Sequence, residues 1–149
     1  MRRVLVTGGN GLVGSMFTSL SNGTNDYLPV YSSEADLRIR EEVDKVFNTL
    51  KNIDSVIHCA AKVGGVGGNM RYKGEFFYDN IMMNTNVIES TRIHGIKNLV
   101  CFLSTCVFPN DIEYPLTEKK IHLGPPHISN DAYAYAKRMA DVQIRAYRE

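Results

Sequence analysis

The sequence predicts an α/β fold, a parallel β-sheet flanked by helices. Short apolar runs alternate with stretches of helical periodicity, and a glycine-rich turn joins the first run to the first helix. At 149 residues the chain is long enough to bury one ordinary core. Val4-Leu5-Val6, cut off by Thr7-Gly8-Gly9, reads as a buried strand. Leu12, Val13, Met16, Phe17 and Leu20 recur at three-to-four spacing and predict a helix, with Asn22-Gly23 as its stop. Tyr27 to Tyr31 is a second strand, and Pro29 places it near a sheet edge. A helix over Arg40 to Leu50 turns Val43, Val46, Phe47 and Leu50 inward. Ser55 to Cys59 is the third strand. Glycine-rich Gly64 to Gly68 leads into a long helical segment from Gly74 to His94, closed by Gly95. Leu99 to Leu103 is the fourth strand. Pro109, Pro115, Pro125 and Pro126 mark a long loop, and Tyr133 to Tyr147 is a last helix. Crossovers of this kind are right-handed and leave the strands parallel.

Composition narrows the function classes. Seventeen Lys+Arg against sixteen Asp+Glu give a formal charge of +1, too small a field to recruit nucleic acid or an anionic membrane. The longest apolar stretch, about Leu99 to Leu103, falls far short of the ~20 residues of a bilayer span. No signal peptide is read at the N-terminus, so a cytoplasmic domain is expected. Cys59, Cys101 and Cys106 make an odd count without a CxxC pair, arguing against a disulfide framework or a metal site.

Thr7 to Gly14 sits where the first strand meets the first helix. Gly8 permits a sharp turn, Gly11 a close approach of backbone to a pyrophosphate, and Gly14 the packing of helix on strand, with Leu12 and Val13 between them. This context turns a weak glycine motif into a dinucleotide-binding expectation in a Rossmann-like sheet. The choice of dinucleotide stays open. Ser32 and Ser33 offer hydroxyls to the 2′-phosphate of NADP, whereas Glu34 repels it unless turned away, so NAD remains possible. Asp36-Leu37 faces the adenine edge or forms a solvated loop.

Tyr133 and Lys137 lie four residues apart on one helical face, an arrangement that favours the phenolate and makes a usable acid/base. Tyr135 competes for the role. Ser104, just past the fourth strand, stands where open parallel sheets place ligands and can donate to a carbonyl oxygen. His58 reads as a hydrogen-bonded core histidine. His122 and His127 lie in the proline-rich loop, where they can border the substrate but have no companion spacing for a metal site, and Met82 and Met83 with Ile81 form a packing stripe or a subunit contact.

Together the turn, Ser104 and Tyr133/Lys137 resemble the extended branch of the short-chain dehydrogenase/reductase superfamily. Residues 59–65, Ser104-Thr-Cys-Val-Phe-Pro109, 122–127 and 133–142 are similar in particular to the GDP-L-fucose synthase family. That resemblance implies an NADP-dependent epimerase and reductase acting on GDP-4-keto-6-deoxy-mannose. It implies that Tyr133 delivers a proton to the C4 carbonyl oxygen and that Lys137 lowers its pKa and holds the nicotinamide ribose. It further implies that Ser104 polarises the carbonyl, Cys106 is the base for C3 and C5 epimerisation, and Asn80 positions a water in the proton relay. Cofactor contacts are expected at Gly8, Gly11, Leu12, Val13, Gly14, Ser32, Ser33, Asp36, Leu37, Ala60, Ala61, Tyr133 and Lys137, with a GDP-sugar as substrate and a homodimer as the assembly. Residues 1–149 are expected to be an incomplete NADP-binding Rossmann domain, ending after about four strands without a substrate domain and feeble on its own. Another nucleotide-sugar enzyme of the same branch and an inactive dinucleotide-binding fragment remain as alternatives.

Overall fold

The computed structural model describes residues 1–20 and 23–149, which fall into two compact units, 1–61 with 82–102 and 62–81 with 103–149. The first unit holds a parallel sheet of four strands: β1 (Arg2–Thr7), β2 (Asn25–Val30), β3 (Ser55–His58) and β4 (Asn98–Cys101). Their order, β2-β1-β3-β4, puts β1 beside both β2 and β3, so the winding reverses across it. Thr7 aligns with Val30 and His58, and His58 with Cys101, which brings the carboxyl ends level. Pro29 lies in the edge strand β2, where its missing N–H removes no interior ladder bond. The core joins Leu5, Val30, Leu37, Val56 and Val87 to Val43 and Phe47 of α2 (Arg40–Thr49), with Val46 and Leu50 packed at its border.

Helix α1 is shorter than the periodicity implies, spanning Gly14–Thr18 only. The cause is local. The hydroxyls of Ser15, Thr18 and Ser19 bond the carbonyls three residues back, at 3.4, 2.7 and 2.8 Å, and compete with the helical ladder. Its Met16 is correspondingly uncovered, 59% exposed, while Phe17 packs on Tyr27 with ring centroids 5.5 Å apart. The expected stop involves Asn22, which lies outside the described residues.

The second part of α4 (Lys73–Ile93) contributes polar side chains to the interior of the first unit. Asn86 Nδ2 donates to the carbonyls of Leu37 and Arg38, both at 3.0 Å, and Ser90 Oγ donates to Asp44 at 3.0 Å. His58, fully buried, accepts at Nδ1 from Thr7 Oγ1 at 2.6 Å and donates from Nε2 to Asn84 Oδ1 at 3.0 Å. That is the core histidine the strand pattern implies. The helix closes at Gly95, whose φ of 66° permits Gly95 N–H to reach Arg92 O and Ile96 N–H to reach Thr91 O, both at 3.0 Å.

The second unit holds α3 (Gly65–Arg71), the first part of α4, single 3₁₀ turns at Thr105–Val107 and Glu118–Lys120, and α5 (Asp131–Arg148). Much of the glycine-rich passage is therefore helical. A Cβ on Gly64 would lie 2.7 Å from the buried Phe76 ring, so the missing side chain there admits an aromatic anchor. Lys73 Nζ ties the start of α4 to Ile128 O at 2.6 Å and Asp131 Oδ1 at 2.9 Å. Asp141 accepts from His122 at 2.8 Å and Arg145 at 3.0 Å, and these partners hold its carboxyl below the usual range against the opposing effect of burial.

Asn84→Leu strips the buried His58 N–H of its acceptor and is expected to destabilise the protein by about 1–3 kcal/mol. The midpoint of urea unfolding measures this, and an unchanged midpoint contradicts the network's role.

Candidate active site

The turn after β1 is built by steric exclusion. Gly8 has a φ of +73°, and a Cβ there would fall 2.8 Å from Ala60 N and 2.9 Å from Ala60 Cα. Backbone thus meets backbone where β1 and β3 end, at the reversal of strand order where open α/β sheets bind ligands. Gly9 N–H donates to Val30 O at 3.1 Å and Gly11 N–H to Gly8 O at 2.9 Å. A Cβ on Gly14 would run into Gly8 O, so helix and turn pack only as glycines. Leu12 and Val13 stand exposed on the rim. The chain leaves a turn whose glycines let backbone be approached closely, as a pyrophosphate needs.

Beyond β2, Ser32 and Ser33 lie exposed on a turn, while Glu34 curls back so that its carboxylate accepts Tyr31 N–H at 2.9 Å. Asp36 and Leu37 are otherwise engaged. Arg38 grips the Asp36 carboxylate through Nε and Nη2, down to 2.6 Å, and that bond holds its pKa below the usual carboxylate value. Leu37 is buried in the core, and Ala60 and Ala61 are half-buried after β3.

In the second unit, Ser104, Cys106 and Tyr133 converge. Ser104 precedes the 3₁₀ turn and accepts Cys106 N–H at 3.3 Å, and its side chain also bonds Tyr133. Tyr133 is 8% exposed in the first turn of α5, whereas Tyr135 is 40% exposed with the Arg138 guanidinium over its ring, which separates the two tyrosines. Lys137, one turn beyond Tyr133, is only 2% exposed. The expected depression of the Tyr133 pKa is reversed. Burial raises it, the neighbouring Cys106 raises it further, and the Ser104 bond only partly opposes them. Desolvation is the largest influence on the phenol.

Asn80 is fully buried and fastens loop backbone: Oδ1 accepts Lys62 N–H at 3.0 Å, and Nδ2 donates to Lys62 O at 3.0 Å and Phe76 O at 2.7 Å. His122 is paired with Asp141, and His127 with Ser129 at 2.7 Å. Two residues escaped sequence reasoning. Asn130 Nδ2 donates to Cys106 Sγ at 3.0 Å, and buried Arg138 donates through Nε to Val107 O at 2.7 Å. An asparagine before a helix reads as a cap, and an arginine after a lysine reads as a solvated charge; neither leaves a spacing signal.

Comparison with known proteins adds independent findings. Residues 4–149 match the NAD-dependent epimerase/dehydratase family. The chain is 47% identical to the GDP-L-fucose synthase of Dictyostelium discoideum, over 99% of this chain and 47% of that protein. It is 40% identical to a probable GDP-L-fucose synthase of Drosophila melanogaster, over 100% of this chain and 47% of that one. The chain thus spans about half the length of the curated relatives it matches. A GDP-L-fucose synthetase of Naegleria fowleri, solved bound to NADP, superposes with a TM-score of 0.88 at 41% identity, over 99% of this chain and 44% of that one. With a parallel sheet, a side-chain-free turn at its reversal point and a match over nearly every residue, the chain belongs to the NAD-dependent epimerase/dehydratase family.

Proposed function

We propose that this chain forms the nucleotide-binding and hydride-transfer part of an NADP-dependent GDP-L-fucose synthase, which epimerises and reduces GDP-4-keto-6-deoxy-mannose. The observation that carries the reading is the pairing of half-buried Ser104 with the buried Tyr133 phenol, with Cys106 beside it. Residues 1–149 are then read as one NADP-binding Rossmann domain. NADP is favoured over NAD by the exposed Ser32 and Ser33 hydroxyls and by Glu34 being turned onto its own loop. The Naegleria relative bound to NADP supports the same choice. Gly8, Gly11 and Gly14 keep the turn open for the pyrophosphate, with Leu12 and Val13 on its rim and Ala60-Ala61 beside it. Asp36, held by Arg38, borders the adenosine end, whereas Leu37 belongs to the core.

NADPH, when bound, supplies the hydride that arrives at C4 of the sugar. The chain's own groups manage protons. Cys106, as thiolate, would remove the protons at C3 and C5, which are acidic because each carbon neighbours the C4 carbonyl. Reprotonation of each enolate carbon from the opposite face by a second acid would complete the inversion. Ser104 and Tyr133 donate to the carbonyl oxygen and stabilise the charge that develops on it in both reactions. The raised pKa of Tyr133 keeps the phenol protonated at neutral pH, so it is loaded as the acid of the reduction, and its proton passes to O4 as the hydride arrives. Lys137 holds the nicotinamide ribose, and Asn80 keeps the loop at Lys62 in place for the relay water. A homodimer is supported by Tyr135, Met139 and Val142, exposed at helical spacing on α5. A cytoplasmic location accords with the absence, among the described residues, of any helix long and apolar enough to cross a membrane.

Tyr133→Phe is expected to lower NADPH oxidation with the keto sugar by about 10²–10⁴-fold while leaving NADPH affinity within about twofold. Equal rates in the two proteins rule out the acid role. NADPH is expected to bind roughly tenfold more tightly than NADH, and Ser32→Glu with Ser33→Glu to erase the difference through repulsion of the 2′-phosphate. Fluorescence titration reads both, and equal affinities in the unaltered chain contradict the serine contact.

A further inference from the structure

Asn130 stands immediately before α5, where an asparagine ordinarily caps the helix by accepting one of its first N–H groups. It makes no such side-chain bond, and Asp131 Oδ1 accepts Ala132 N–H at 2.8 Å instead. The amide points elsewhere: Nδ2 lies 3.0 Å from Cys106 Sγ, and Oδ1 is buried with no partner among the described residues. The capping bond that Oδ1 would accept is thus forgone, while the N–H side of the amide is directed at a sulfur. A thiolate is a much stronger acceptor than a thiol, so a donor fixed at this distance favours the ionised form. Other groups meet the same segment. Ser104 Oγ accepts the Cys106 N–H, the Tyr133 phenol of α5 interacts electrostatically with Cys106, and the Arg138 cation holds the next carbonyl, Val107 O. Of these, the amide is the group that donates to the sulfur itself.

We propose that Asn130 is a positioning residue for Cys106: it fixes the sulfur through Nδ2–H and favours the thiolate that acts as the epimerisation base. This rests on the proposed role of Cys106.

The test follows alkylation of Cys106 by iodoacetamide against pH in the 149-residue chain, read by peptide mass with Cys59 and Cys101 as internal references. Asn130→Ser keeps a good helix cap but is too short to reach the sulfur. It is expected to raise the Cys106 titration midpoint by about one pH unit and to slow alkylation roughly tenfold near neutrality, the scale of one hydrogen bond to a charged group. The references are expected to hold still. Should Asn130→Ser unfold early, Asn130→Asp reads the same quantity, and its carboxylate beside Sγ is expected to raise the midpoint further. A Cys106 midpoint that stays in place in a folded variant overturns the proposal. The readout requires neither sugar nor cofactor, so it fails separately from the proposed activity. An unmoved midpoint removes Asn130 alone, whereas loss of the GDP-sugar reading leaves a measured shift standing.

Discussion

The backbone leaving β1 touches the backbone leaving β3, and the organisation of the sheet unit follows from that approach. A Cβ on Gly8 would sit 2.8 Å from Ala60 N, inside any tolerable contact, and the φ of +73° is one that L side chains rarely adopt. The two strands can then end side by side with nothing between them but main chain. Val4 to Thr7 are buried on both faces of the central strand, as a parallel sheet with covered faces requires. The donors exposed by the turn belong to the fold itself and depend on no particular side chain. α1, barely more than a turn long, adds little dipole, so the geometry of the loop matters more than the helix behind it.

The interior is unusually polar, and each unit uses that polarity differently. In the first, α4 replaces an apolar stripe with Asn84, Asn86 and Ser90, each hydrogen-bonded to a strand, a loop carbonyl or α2. Buried amides are costly when unpaired and specific when paired, so these bonds fix register as much as stability. In the second, burial acts on chemistry. Tyr133 loses solvent and its phenolate becomes less favourable. Arg138 has buried Nη2 without a partner among the described residues, yet its Nε anchors the carbonyl next to Cys106.

Much of this was legible in the sequence because backbone chemistry writes itself into residue type. Apolar runs bounded by glycine gave four strands to within a few residues, Pro29 gave the sheet edge, and Gly95 gave the end of α4. The glycine turn was readable because its position carries the meaning. Helix α1 misled because periodicity records spacing and is blind to hydroxyls that bond their own carbonyls. The helix over Gly65–Arg71 was hidden by glycine's low propensity, which tertiary packing around Phe76 overrides. The sign of the Tyr133 shift was illegible because spacing places a lysine one turn away but says nothing of desolvation. Asn130 was illegible because a cap and a thiol partner are the same letter.

The most direct test of the account is the affinity of Gly8→Ala for NADPH, measured by fluorescence titration with circular dichroism as the check on folding. The added methyl must move Ala60 or twist the turn, so affinity is predicted to fall by at least about tenfold, since a forced left-handed alanine and a backbone clash cost upwards of ~1–2 kcal/mol. A folded Gly8→Ala protein that binds NADPH as tightly as the unaltered chain would contradict it.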